Sequence, residues 1–153
     1  MVYEALLKEA EQLGVYVYEK PMNLNIKGLY ADGVVCLNKR VLRRVEKACA
    51  LAEEIGHHNT TSGNILNLNS ISNLKQEKRA RTWGHKKLLP LSSFVQAHKE
   101  GIRNRYELAE FLNITEEFLE EALKRYQEIY GLCVRVDNYT LCFEPLGIKE
   151  FFE

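Results

Sequence analysis

Ala48-Cys49-Ala50-Leu51-Ala52-Glu53-Glu54-Ile55-Gly56-His57-His58 is the stretch on which the reading of this chain turns. Within it, Glu53-Glu54-Ile55-Gly56-His57 has the spacing of an H-E-x-x-H zinc motif whose first histidine is replaced by glutamate. That motif works because positions four apart on a helix stand one turn apart on the same face, so two ligands converge on one ion while the residue between them supplies a base. Here the two ligand positions fall on Glu53 and His57, and the base position on Glu54.

The flanking residues predict the helix that such a motif needs. Val41, Val45, Ala48, Ala52 and Ile55 form an apolar stripe, giving a helix from about Val41 to His58. Gly56 weakens it by roughly 1 kcal/mol relative to alanine, and close approach of another backbone is one reason to keep glycine there. Asn59 to Asn64 reads as a polar loop. A catalytic zinc takes three protein ligands and a water, so a third ligand must come from elsewhere. Glu77 is the best-placed candidate, on a helix expected from about Ser72 to Lys87. Glu54 and His58 share the same four-residue spacing, but in that frame the base position is Ile55, which accepts no proton. Two carboxylates and one imidazole donate more negative charge than the usual set, which weakens Lewis acidity and leans toward manganese or iron, with zinc still the first choice. The plainer reading is a solvated pair of glutamates and two histidines closing a helix, where the helix dipole favours cations.

Elsewhere the pattern predicts an α+β fold with a small antiparallel sheet. Tyr3 to Leu13 reads as a helix ended by Gly14, and Val15 to Tyr18 as a strand. Asp32-Gly33 between two apolar runs predicts a hairpin, whose Val34 to Leu37 strand is expected at the edge of a substrate cleft. Pro90 breaks the helix that carries Glu77. Beyond it come a short helix from Arg105 to Leu112, an N-cap at Thr115, a helix from Phe118 to Gly131 and a hairpin about Asp137-Asn138. Two helices followed by a hairpin are winged-helix-like. Residues 1–90 are expected to form the core carrying the motif, and 91–153 a helical region packed on it. Trp83, Tyr106, Phe111, Phe118, Tyr126 and Tyr130 are expected in the interior, His85 and His98 in surface or packing roles, and the basic run from Lys78 to Lys87 on a solvated face.

Composition narrows the classes of function. The 21 basic and 21 acidic residues cancel, which argues against a general phosphate-binding surface. Glu116, Glu117, Glu120, Glu121 and Glu128 crowd the helix that would enter a DNA groove, so direct DNA binding is disfavoured and docking of a protein, such as a basic domain, fits better. No apolar run approaches a membrane span, and the N-terminus does not read as a secretory signal, so a cytoplasmic protein is expected. Cys36, Cys49, Cys133 and Cys142 form no C-x-x-C pair and lie in apolar contexts, which predicts buried, reduced thiols.

Lys47 to His58, followed by Thr60-Thr61-Ser62-Gly63 and Lys75-Gln76-Glu77-Lys78-Arg79-Ala80-Arg81, resembles the ImmA/IrrE family of metallopeptidase-like proteins, over about residues 1–90. The Gly28-Leu29-Tyr30 hairpin ahead of the helix fits as well. The resemblance implies a zincin-like domain with metal ligands at Glu53, His57 and Glu77 and a catalytic base at Glu54. It also implies a phage or mobile-element protein that inactivates a helix-turn-helix repressor by cleavage. The alternative is an inactive adaptor that binds the repressor without hydrolysis. Glutamate at 53 departs from the family's histidine, and bears on metal identity and competence rather than on fold.

Overall fold

The computed structural model describes residues 2–40, 43–60 and 70–150. Among these, six helices and two three-stranded sheets make an α+β protein. The chain divides into two compact units, Met1–Gly84 and His85–Glu153.

The N-terminal unit opens with α1 (Val2–Gln12), which buries Tyr3, Leu6 and Ala10 at i, i+3 and i+7. Ala5 and Leu13 are exposed. Gly14 ends the turn at φ 75°, and the chain enters β1 (Tyr16–Lys20), followed by β2 (Gly28–Ala31) and β3 (Val34–Asn38). Asp32 and Gly33 both take positive φ, 46° and 78°, which is the backbone the Asp-Gly hairpin requires. The sheet order is β1-β3-β2. β2 runs antiparallel to β3, and β1 joins the other side of β3 in parallel. The Val34 to Leu37 strand is therefore central, hydrogen-bonded on both sides, and not the cleft edge that the sequence led us to expect. Its composition explains this: Val35, Cys36, Leu37 and Asn38 are consecutively buried, as in a strand covered on both faces.

α2 (Arg44–Thr60) packs against α1, β2 and β3. Ala48, Leu51, Ala52 and Ile55 are buried there. Val41 and residues 61–64 of the expected loop lie outside the described residues, while Asn59 and Thr60 continue the helix. Asn38 is fully buried and organises the chain between β1 and β2. Its side-chain oxygen accepts from the N–H groups of Met22 (3.1 Å) and Arg40 (3.0 Å), and its amide donates to the carbonyls of Asn23 (2.8 Å) and Ile26 (2.6 Å). At the start of the sheet, Glu19 accepts from Tyr3 (3.1 Å) and pairs with Lys47 (2.6 Å).

α3 (Ser70–Leu88) begins in this unit. Gly56 of α2 lies against it so closely that an added Cβ would stand 2.3 Å from the carbonyl oxygen of Ala80. On α3, Gly84 returns the contact less tightly, its notional Cβ 3.3 Å from the Glu53 nitrogen. Gly56 thus answers to close backbone approach, as the sequence suggested.

The C-terminal unit contains α4 (Leu91–Lys99), α5 (Arg105–Leu112), α6 (Glu116–Tyr130) and the antiparallel meander β4 (Cys133–Val136), β5 (Tyr139–Phe143) and β6 (Leu146–Glu150). Asn104 caps α5 by accepting from the Glu107 N–H (2.8 Å), and Thr115 caps α6 by accepting from the Phe118 N–H (2.9 Å). Phe94, Leu108, Phe118, Leu119, Tyr126, Leu141 and Phe143 make the core, and the Tyr126 hydroxyl donates to the Leu89 carbonyl at 2.7 Å. Tyr106, Phe111 and Tyr130 were expected in that core and are exposed instead, because the apolar face of each helix is narrower than its aromatic content. Trp83 is half-buried. His85 is buried edge-on against Phe118, and exposed His98 lies edge-on to Tyr139. The basic run from Lys78 to Lys87 is solvated as expected: Lys78, Arg79, Arg81, Lys86 and Lys87 are exposed.

Two of the four cysteines correct the expectation of reduced, buried thiols. Cys36 and Cys49 are buried thiols outside any disulfide, but Cys133 and Cys142 form a disulfide across the β4–β5 pair. The two-residue turn at Asp137-Asn138 sets a register that places them directly opposite one another.

Candidate active site

The site is built where α2, α3 and β2 meet in the N-terminal unit. Because Gly56 and Gly84 lack side chains, the two helices approach closely, and His57, next to Gly56, and Glu77, about one turn before Ala80, face each other across the seam. His57 Nε2 lies 3.0 Å from Glu77 Oε2. Two residues twenty positions apart are thereby brought into direct contact. Arg81, one turn after Glu77 on α3, pairs with the same carboxylate at 3.3 Å.

Glu54 occupies the β2 side of α2. A Cβ added at Gly28 would stand 3.4 Å from Glu54 Cγ, so glycine at that strand position leaves room for the carboxylate. The side chain is partly buried. Desolvation pushes its carboxyl up to about 7, opposed by the charge of His57 and reinforced by Glu53 and Glu77. His57 is raised above its ordinary value, chiefly by its hydrogen bond to Glu77, with burial opposing and the three glutamate charges assisting. Glu77 is lowered, chiefly by the same hydrogen bond, against burial and with help from Arg81. The shifts on the two partners agree in sense: each favours its charged form.

Glu53 sits one turn before His57, half-buried. Its charge reaches both Glu54 and His57. Among the described residues no three His, Cys, Asp or Glu side chains already converge as a metal cage; direct contact is made by His57 and Glu77. That pair fits a shared ion. Metal–nitrogen and metal–oxygen bonds of about 2.0–2.2 Å at a near-tetrahedral angle hold two ligand atoms about 3.3–3.5 Å apart, and these two stand at 3.0 Å. A few tenths of an ångström separate the present contact from a ligating one.

The chain matches the family model Peptidase_M78, the IrrE N-terminal-like domain, over residues 10–124, about three-quarters of its length. It belongs to the ImmA/IrrE metallopeptidase-like family. No curated protein matches the chain. The family match spans every member of the cluster, from Gly28 to Arg81, and its zincin-like α+β domain agrees with the architecture described above.

Tyr30 was not singled out for this site by the sequence. Its ring lies parallel to that of His57, centroids 6.5 Å apart and planes 10° apart, and edge-on to His58 at 5.7 Å. Its hydroxyl is 2.7 Å from His58 Nδ1. Nothing in the local pattern of β2 marks the residue, since alternation predicts only which face it takes. Arg81, placed by the sequence only on a solvated face, was missed as a partner of Glu77, although its spacing four residues on is the signal that could have found it.

A cavity of about 640 Å³ lies elsewhere, in the C-terminal unit, lined among others by Phe94, His98, Arg103, Leu108, Leu141 and Ile148. It shares no residue with the α2–α3 cluster. The candidate chemistry rests on the cluster, where the charged groups that shift one another lie. Among the described residues no helix is long and apolar enough to cross a membrane.

Proposed function

We propose that this protein is a metal-dependent endopeptidase that inactivates a helix-turn-helix repressor of phage or mobile-element type by cleavage. The observation that carries the reading is the contact of His57 with Glu77 across two helices, with the partly buried Glu54 carboxyl, pushed up to about 7, beside it.

His57, Glu77 and Glu53 would hold the ion, zinc by preference and manganese or iron by virtue of the carboxylate-rich set. Such an ion, when bound, acidifies water and polarises a carbonyl. Glu54 takes a proton from the attacking water and returns it to the leaving amine, work for which a carboxyl titrating near neutrality is well matched. Burial beside β2 keeps Glu54 poorly solvated, which is what raises it. His57 first, and Arg81 after it, hold Glu77 in its charged form.

Among the described residues β2 is an edge strand, with β3 on one of its sides. An extended peptide can add to that open edge through main-chain hydrogen bonds and so pass over Glu54 and His57. The exposed acidic residues of α6, Glu116, Glu117 and Glu120, suit a basic protein partner better than a phosphate backbone.

The test is incubation of the metal-loaded protein with purified candidate repressors, read by intact mass. Specific cleavage that a chelator stops, and that Glu54→Gln lowers by about 10²–10⁴-fold, supports the reading. Cleavage retained in pure Glu54→Gln refutes the role of Glu54. One observation favours the second reading, a non-hydrolytic adaptor: His57 and Glu77 satisfy each other directly. Tight repressor binding with no cleavage under any metal would select it.

A further inference from the structure

We propose that Tyr30 is a positioning residue that holds His58 in its Nε2–H tautomer, so that His58 serves as a hydrogen-bond donor to a carbonyl oxygen of a peptide laid along β2. This rests on the peptidase reading for the identity of the acceptor, but not for the tautomer itself.

The assignment follows from counting protons. A phenolic hydroxyl carries one hydrogen. The backbone N–H of Gly33 donates to the Tyr30 oxygen at 3.1 Å, so on that side the oxygen accepts. Gly33 is held there by the hairpin turn, at φ 78°. The remaining contact, 2.7 Å to His58 Nδ1, has two possible senses. If Tyr30 donates, all three groups are satisfied. If Nδ1 carried the proton, the oxygen would accept twice and its own hydrogen would be left to water, Tyr30 being half-buried; donation by Tyr30 is the sense that closes every bond within the protein. Donation by Tyr30 leaves Nδ1 without a proton and places the imidazole hydrogen on Nε2.

The Nε2–H so created has no protein partner among the described residues, although His58 is only half-exposed. It adjoins His57 in sequence, and the Tyr30 ring lies against both imidazoles. Tyr30 itself belongs to β2, the edge strand along which an extended chain would pair. An unspent donor at that place matches the one group that every residue of an extended peptide presents, its carbonyl oxygen. Fixing the tautomer in advance removes a cost otherwise met on binding.

The test begins with the metal-free full-length protein, labelled with ¹⁵N-histidine and kept at about pH 8.5, where an ordinary imidazole is neutral. Long-range proton–nitrogen spectra distinguish protonated from unprotonated ring nitrogens, and loss of a signal in His58→Gln assigns it among the four histidines. The wild type is expected to show the proton on Nε2. Tyr30→Phe keeps the ring against His57 and should reduce the excess of that tautomer by about five- to tenfold, the worth of one hydrogen bond. A proton on Nδ1 in the wild type, or an unchanged ratio in Tyr30→Phe, overturns the proposal. The donor role is then read by binding of an acetyl-leucine hydroxamate to the zinc-loaded protein. Glutamine at 58 can place an amide N–H where Nε2–H stood and should bind within about twofold of the wild type, whereas His58→Asn should bind about five- to tenfold more weakly. Equal affinity for all three proteins overturns the donor role. Failure of the wild type to bind zinc or the hydroxamate overturns the peptidase reading and the acceptor with it, while the tautomer assignment stands on the metal-free spectra.

Discussion

Replacing Gly56 by alanine puts two physical effects in opposition, and the structure decides between them. In an isolated helix the change is favourable by about 1 kcal/mol. In this protein the new Cβ would stand 2.3 Å from the Ala80 carbonyl oxygen and 3.0 Å from its carbon, both backbone atoms. No side-chain rotation relieves such a contact. α2 and α3 must separate locally by about 1 Å to restore van der Waals distance, and overpacking of this kind costs about 1–3 kcal/mol, more where backbone must move. Taking about 3 kcal/mol against a gain of about 1 leaves a net destabilisation of about 2 kcal/mol, or roughly 4–8 °C in Tm for a chain of this size. The same displacement opens the seam that holds His57 Nε2 within 3.0 Å of Glu77 Oε2, so zinc affinity should fall as well, by about tenfold or more. Gly84→Ala is the internal comparison: its nearest contact, 3.3 Å to the Glu53 nitrogen, needs only a few tenths of an ångström, and its cost should be near zero. Thermal melts of the metal-free proteins and competitive zinc titrations measure both effects. A Gly56→Ala protein as stable as the wild type, with unchanged zinc affinity, would refute the claim that close helix approach builds the site.

Two further predictions concern the scaffold. Asn38→Ala removes four hydrogen bonds at a fully buried position. It should cost about 2–4 kcal/mol, read as a lower denaturant midpoint; a change under about 0.5 kcal/mol would mean that the segment between β1 and β2 is held by other contacts. Glu19 is held below its ordinary value, first by Lys47 and then, against burial, by the Tyr3 hydroxyl. Its folded pKa is therefore depressed, so its contribution is present above the unfolded value and lost as pH falls through the folded one. The stability difference between wild type and Glu19→Gln should accordingly be constant at neutral pH and vanish in acid; a difference independent of pH would show that the charge is not what matters.

Several parts of this structure were legible because local chemistry and tertiary context agree. Asp32-Gly33 sits in a turn that demands positive φ, Thr115 caps the helix it precedes, and the spacing of Glu53, Glu54 and His57 survives as one helical face. Gly56 was readable as a close approach because nothing else justifies glycine inside a long helix. Other features needed partners that sequence does not reveal. Val34 to Leu37 is expected from the sequence at the edge of the substrate cleft, although a run buried on both faces belongs at the centre of a sheet. Leu146–Glu150 escaped notice because Pro145 and Gly147 bracket its start like turn residues. The Cys133–Cys142 pairing follows from hairpin register, a stronger signal than the apolar context that suggested free thiols. Asn38 and Tyr30 act through hydrogen bonds to segments far along the chain, and their roles appear only once the strands are placed.

Metal content, measured on tag-free protein after reconstitution and removal of loose ions, tests the central claim most directly. The account predicts about one equivalent of zinc in the wild type, and loss of that metal in His57→Ala, in Glu77→Ala and in Glu53→Ala. Retention by Glu53→Ala alone would remove Glu53 from the ligand set. A wild-type protein that takes up no zinc, manganese or iron would contradict the account and leave the His57–Glu77 contact as a structural ion pair.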